Sequence, residues 1–373
     1  MQSATELTRQ LIRFNTINPP GAEQGCAEHL AGLLTAAGFV VELVPFSEGR
    51  AQLLVQIGGT SERPPLGFTG HLDTVPLGTR SWSVDPFAAE IKGDKLYGRG
   101  SSDMKSGVAA FVSAAIAMAD RLAGTPGVRL AITAGEETGC SGAAALVAVK
   151  SALGRVGALV VAEPTGNRPL VGHKGALWLE AETTGVTAHG SMPERGVNAI
   201  YKAARAVSAL EAFDFNVARH EVLGAPTLNV GTIHGGININ SVPDRATIGI
   251  DIRTIPAQSH AQLRAQMESY LGPEVVLKTL LDAQSVWSDP HDPWIREVIE
   301  IAREIEGVDD EIAAAPYFTD ASVLTPAWGN PPTVILGPGE LVQAHQTDEY
   351  CLISRIEKAT ELYAQLIRRW CRI

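Results

Sequence analysis

Residues 105–133 read KSGVAAFVSAAIAMADRLAGTPGVRLAIT. The alanine-rich run from about Lys105 to Leu122 predicts a buried helix, too short to span a bilayer in its apolar part (107–119), and VRLAIT after it predicts a buried strand. A second apolar strand, ALVVAE, follows, and FVVELVPF, AQLLVQI and PLGFTG precede. Strands alternating with helices imply a largely parallel sheet with helices on both faces. Further upstream, TELTRQLIRF and CAEHLAGLLTAAG carry helical spacing, with Gly38 placed as a C-cap glycine. AAEIKGDKLYGRG, with Lys-Gly-Asp-Lys at its centre, reads as a hairpin.

The texture changes after about residue 175. ALWLEAETTGVTA, APTLNVGTIHG and ATIGIDIRTIP alternate apolar and polar residues, as Ala246, Ile248, Ile250 and Ile252 do with Thr247, Gly249, Asp251 and Arg253. That pattern suits an antiparallel sheet with one wet face. Helical stretches near 197–213 and 259–271 complete a β-α-β-β-α-β, ferredoxin-like order. From about 285 the α/β texture returns, with a helix at 294–306, a strand at PTVIL and a closing helix after Asp348. A chain of 373 residues is expected to hold two domains. They are a discontinuous mainly parallel α/β domain, 1–174 and 285–373, and an inserted α+β domain, 175–284.

A formal net charge of -11 argues against a nucleic-acid partner. The start, MQSATELTRQ, lacks the features of a secretory signal, and no stretch predicts a membrane partner, so the cytoplasm is the expected compartment. Cys26, Cys140, Cys351 and Cys371 lie far apart without CxxC spacing, which argues against disulfides or a thiolate metal site.

Polar residues collect at the carboxyl ends of the apolar strands, where open parallel sheets bind ligands. They are His71 and Asp73 after PLGFTG, Glu136 and Glu137 after VRLAITAG, Glu163 after ALVVA, and His345 in the loop after PTVIL. Asp103 stands just before the alanine-rich helix, where capping is the competing explanation. Imidazole and carboxylate without thiolate suit zinc, cobalt or manganese. Five ligands are too many for one tetrahedral zinc that keeps a water, but fit two metals sharing a carboxylate, about 3.5–4 Å apart. One carboxylate is then left over, and a free carboxylate beside a metal-activated water is what hydrolysis requires. Asp73, two residues from His71, is placed to hydrogen-bond the imidazole and fix its tautomer.

GHLDTVP, GRGSSDMKSG, AGEETG, AEP and AHQTDEY, in that order, resemble the M20 metallopeptidase family, which includes acetylornithine deacetylase, succinyl-diaminopimelate desuccinylase, aminoacylase and glutamate carboxypeptidase. The resemblance covers essentially the whole chain. It implies that the inserted domain is a lid or dimerisation domain and that the protein is a homodimer. It also implies two divalent ions, with zinc expected and cobalt or manganese as alternatives. Asp103 would bridge them, His71 and Glu163 completing one site and Glu137 and His345 the other. Glu136 would be the general base to a metal-bridging hydroxide, and the Asp103–Met104 peptide would be cis. His189 in GVTAHGSMP would reach the partner's active site and steady the oxyanion, while Asn240 and Arg253 would hold substrate oxygens. PYFTDASVL resembles the deacetylase and desuccinylase loops, making Thr319 and Asp320 candidate substrate contacts, with a structural turn the alternative. Where the desuccinylase type commonly carries paired arginines after AEP, this chain has His173 and Lys174, so a second substrate carboxylate is not expected.

The leading expectation is a metal-dependent amide hydrolase that removes an acyl group from an N-acyl amino acid, of the acetylornithine deacetylase or the succinyl-diaminopimelate desuccinylase type. A dipeptidase or carboxypeptidase of the same family is the alternative within enzymes, and a non-catalytic small-molecule binding protein the alternative outside them.

Overall fold

Strand Leu66–His71 sits inside a six-stranded sheet ordered Val40–Ser47, Arg50–Ile57, Val128–Thr133, Leu66–His71, Ala158–Val161, Thr333–Ile335. The computed structural model describes residues 2–59, 62–149, 153–309 and 311–373. The last four strands in that order are mutually parallel. The first two are antiparallel to their neighbours. Their pairing follows from the connection: Ser47 faces Arg50 across two residues, and Gly49 takes the positive φ of 69° that so tight a turn demands.

Both faces are covered. On one, Phe68 stacks on Phe111 at 5.7 Å and meets Tyr363 edge-on at 5.6 Å, so helices Lys105–Met118 and Ile353–Cys371 pack there. On the other, Gln52 Nε2 donates to Gly142 O at 3.0 Å, tying down helix Ser141–Ala148, against which Ala321–Ala327 packs. Neither of these two short helices is evident from the sequence. SGAAALVA is apolar on all sides and ASVLTPA contains a proline, so neither shows an amphipathic period.

Close approach of helix to strand sets one position sharply. A Cβ on Gly107, one turn into its helix, would stand 2.1 Å from the carbonyl oxygen of Ala162. Because backbone lies on both sides, Gly107→Ala is expected to lower unfolding free energy by about 1–3 kcal/mol, the usual cost of overpacking. Urea titration measures it; an unchanged midpoint would show that strand and helix can part at no cost.

The predicted hairpin is present as Ile91–Lys92 and Lys95–Tyr97. A third strand, Tyr350–Leu352, joins it, so the closing helix begins at Ile353 rather than directly after Asp348. The Asp103–Met104 peptide is cis, as are Asn18–Pro19 and Pro19–Pro20.

The chain divides into two compact units: Met1–Gly172, Trp287–Ala313 and Thr319–Ile373; and His173–Val286 with Ala314–Phe318. The second unit holds an antiparallel sheet ordered Thr227–Gly235, Arg245–Thr254, Gly175–Thr184, Val275–Ala283. Helices Ala199–Glu211 and His260–Leu271 start at Asn198 and Ser259, whose side chains accept from Tyr201 N and Gln262 N. Ala246, Ile248, Ile250 and Ile252 are buried with Leu177, Leu179, Ala203, Leu263 and Met267, so the alternation in ATIGIDIRT marks the inward face. Among the described residues no helix is long and apolar enough to cross a membrane, and all four cysteines are free and buried.

Candidate metal centre

Parallel register brings the strand ends level. His71 pairs with Thr133, Thr69 with Val161, and Ile335 with Val161. Loops leaving these ends carry Glu136, Glu137, Glu163 and His345. Glu136 and Glu137 lie beyond the last strand residue, Thr133, so strand alternation does not force them apart.

Two donor clusters result, sharing one residue. His71, Asp103 and Glu163 form the first and Asp103, Glu137 and His345 the second, with donor atoms within 4.8 Å of one another in each. His71 Nε2 lies 3.2 Å from Asp103 Oδ1 and 3.8 Å from Glu163 Oε1. His345 Nε2 lies 3.5 Å from Asp103 Oδ2 and 3.2 Å from Glu137 Oε2. Asp103 therefore turns one oxygen to each cluster. It caps nothing: the helix behind it begins after Met104 with no side-chain cap.

Charge and bonding fit divalent cations. Glu137 Oε1 is buried without a hydrogen-bond partner. His71 Nδ1 stands 3.0 Å from the carbonyl oxygen of Asp73, which can only accept, so Nδ1 keeps its proton and Nε2 is the nitrogen whose lone pair the neutral ring would offer to a metal. Burial pushes the carboxyl pKa of Glu163 well up; His71 opposes that, while Asp103 and Glu137 add to it. Burial also works against the charged form of Asp103, but its bonds to His345 and His71 outweigh this and hold its pKa low. His345 is pushed up to about 10 by its bonds to Asp103 and Glu137. So many buried carboxylates around two imidazoles call for added positive charge.

Glu136 supplies no atom to either cluster. It is 7% exposed, with Oε1 4.0 Å from Cys140 Sγ, and burial pushes its pKa well above the usual carboxylate range. A buried carboxylate with high proton affinity, next to a candidate metal pair, is suited to accept and return a proton.

Asp73 works differently from expectation. Its carboxylate is 3.6 Å from His71 Nδ1, whose hydrogen bond goes to the Asp73 backbone instead. The carboxylate accepts from Asn18 Nδ2 at 2.9 Å and from the backbone N–H groups of Glu136 and Glu137 at 3.1 Å each. One residue thus aims the imidazole with its carbonyl and anchors the two-glutamate loop with its side chain. No local pattern in the sequence marks Asn18, whose partner lies 55 residues away.

Thr319 is fully buried and its hydroxyl accepts from Ala321 N at 3.1 Å, the geometry of a turn rather than of a substrate contact. Asp320, also buried, bonds Thr133 Oγ1 at 2.5 Å.

In the second unit, His189 is exposed, and Ser191 N donates to its Nδ1 at 3.2 Å. The neutral ring then carries its proton on Nε2, free to donate. Asn240 is exposed. Arg253 bonds the Asp251 carboxylate, which also accepts from Trp178 Nε1 at 3.0 Å, and lies over the Phe318 ring. His173 is fully buried, its pKa lowered to about 4 by burial, and Lys174 Nζ donates to Ala225 O at 2.6 Å.

The model of peptidase family M20/M25/M40 matches residues 67–369. Acetylornithine deacetylase of Proteus mirabilis is 32% identical, over 98% of this chain and 96% of that protein. A probable succinyl-diaminopimelate desuccinylase of Staphylococcus aureus is 30% identical, over 96% of this chain and 97% of that protein. Among solved structures, an M20 family metallo-carboxypeptidase from Sulfolobus solfataricus matches all of both chains with a TM-score of 0.83 at 18% identity. A dinuclear metal-binding M20 peptidase of Bacillus subtilis matches with a TM-score of 0.71 at 17% identity, covering 99% of this chain and 98% of that one. At such identities the structural likeness speaks for the fold.

Proposed function

The chain belongs to peptidase family M20/M25/M40 and is a hydrolase of amide bonds, and on that premise we propose that it removes a short acyl group from the nitrogen of an amino acid. The observation that carries this reading is the pair of donor clusters sharing Asp103, with the Glu136 carboxylate near them and belonging to neither. Two divalent ions, zinc foremost with cobalt or manganese as alternatives, would polarise the amide carbonyl and lower the pKa of a water there. His71, Asp103 and Glu163 would hold one, and Asp103, Glu137 and His345 the other.

Glu136 takes a proton from the attacking water as the water oxygen bonds to the carbonyl carbon. It returns that proton to the nitrogen as the C–N bond breaks, leaving a carboxylic acid whose remaining proton passes to the released amine, so that the products are a carboxylate and an ammonium. His189, reaching in from a second subunit, donates Nε2–H to the developing oxyanion. Arg253, with the Nε–Nη2 edge of its guanidinium committed to Asp251, offers its remaining N–H groups to the substrate carboxylate. Asn240 serves a substrate carbonyl.

The second unit would act as lid and dimerisation domain, inserted as 175–284, with the metal ligands and Glu136 confined to 1–174 and 285–373. Support for pairing comes from its surface, where Ile237 and Ile239 are 90% and 104% exposed and Val186, Tyr201 and Ile233 are also exposed. The cytoplasm remains the proposed compartment.

His173, fully buried with its pKa lowered by burial, and Lys174, whose Nζ donates to Ala225 O, stand where paired arginines would clamp a second carboxylate, and on that ground N-acetyl is proposed over N-succinyl substrates. Protein stripped by chelator is expected to lose turnover and regain it with zinc, cobalt or manganese. On a panel of N-acetyl amino acids, N-succinyl amino acids and dipeptides, the N-acetyl compounds should give the highest kcat/KM. Metal-independent turnover would sink the mechanism; preference for dipeptides would replace the acyl-group assignment with a peptidase one.

A further inference from the structure

Glu349, in the AHQTDEY stretch, takes no part in either donor cluster and is fully buried. Its Oε1 accepts from Ser102 N at 2.7 Å and Asp103 N at 3.0 Å; its Oε2 accepts from Gly100 N at 3.1 Å and Arg99 Nη1 at 2.7 Å. Gly98 N donates to the Glu349 carbonyl at 2.9 Å. Arg99, 1% exposed, reaches on to Pro76 O at 3.1 Å. The loop 98–103 lies between strand Lys95–Tyr97 and helix Lys105–Met118, so these N–H groups have no strand or helix partners of their own.

We propose that Glu349 is the positioning residue for Asp103: its carboxylate clamps the loop from Gly100 to Asp103 and thereby sets the affinity of both metal positions. The clamp is two-sided. Glu349 stands four residues after His345, so the same carboxylate ties the loop of the shared ligand to the chain that presents a second one. Ser102 adds a parallel tie, its hydroxyl donating to Tyr350 O at 2.8 Å and accepting from Glu340 N at 3.2 Å. Each oxygen of Glu349 receives two donors, so an amide cannot replace it: one end of a glutamine would turn an NH2 toward two donors. An aspartate keeps the charge but is one methylene short.

This inference rests on the reading of Asp103 as a shared metal ligand, and the experiment separates the two. Metal-free full-length protein is titrated with zinc against a chromophoric chelator, well below the unfolding temperature, as wild type, Glu349→Gln, Glu349→Asp and Asp103→Asn. Glu349→Gln is expected to bind zinc about 10–100-fold more weakly at both positions, the usual effect of losing a group that orients a ligand. Glu349→Asp should recover part of that loss. A residue that served folding alone would lower the unfolding temperature and leave the zinc affinity of the folded protein unchanged, and that result overturns the proposal. If Glu349→Gln leaves buried Arg99 unpaired and fails to fold, Arg99→Met/Glu349→Gln removes both charges and is measured against the same two outcomes. Wild-type affinity in Asp103→Asn would refute the shared-ligand reading itself, whereas weak binding there beside normal binding in Glu349→Gln refutes the clamp alone.

Discussion

Glu136→Gln is expected to lose about 10²–10⁴ of turnover, the range for removal of a general acid–base, while still binding two metal ions. That loss corresponds to about 2.7–5.4 kcal/mol of transition-state stabilisation. Both halves follow from placement. Glu136 is close enough to the clusters for His71, Glu163 and Glu137 to act on its ionisation, yet contributes no atom to either. Glutamine is isosteric and cannot accept a proton at neutral pH, so binding should survive where proton transfer does not. Thermal stability should hold or rise, because burial disfavours the carboxylate charge that the substitution removes. Steady-state kinetics with metal content on the same sample gives the answer. Turnover within tenfold of wild type would take Glu136 out of the mechanism, and loss of metal would make it a ligand. A non-catalytic binding protein would keep its ligand affinity and show no turnover to lose.

The periodic parts of this protein were legible in its sequence. Helix Lys105–Met118, the strands that flank it and the alternating strand Arg245–Thr254 announce themselves by run length and period, and with them come the parallel sheet and its ligand-binding edge. His71, Glu137, Glu163 and His345 could be picked out because each follows a recognisable strand. What the sequence hid has a common cause. Asn18, Arg99 and Glu349 act through hydrogen bonds to backbone or side chains 23 to 250 residues away, and no local pattern records such a partner. Asp73 is two residues from His71 in sequence, but its two polar ends are indistinguishable there: carbonyl and carboxylate are alternative acceptors until the chain turn after the strand is known. The resemblance of its loop leaves Thr319 open between substrate contact and turn, and only the folded chain shows its buried hydroxyl accepting from Ala321 N where the next helix starts.

Asp103→Asn should have the opposite signature to Glu136→Gln: loss of metal first, and of activity as its consequence. Two divalent ions held by clusters that share a residue would repel one another strongly, and a shared anion would offset that repulsion. Asp103 is the residue able to supply it, with Oδ1 toward His71 and Oδ2 toward His345. Asparagine keeps the shape, but its amide carries no net charge and turns an NH2 toward one of the two clusters. The affinity of both positions should therefore fall by more than the roughly 100-fold upper range for groups that merely orient a ligand. A ligand belonging to one cluster should behave differently: Glu163→Gln is expected to weaken the position beside His71 and leave the one beside His345 nearly intact. Calorimetric zinc titration of the two variants resolves the cases by stoichiometry at a metal concentration that saturates wild type. If Asp103→Asn lost one ion and kept the other at wild-type affinity, Asp103 would be a terminal ligand and the two clusters would be independent sites.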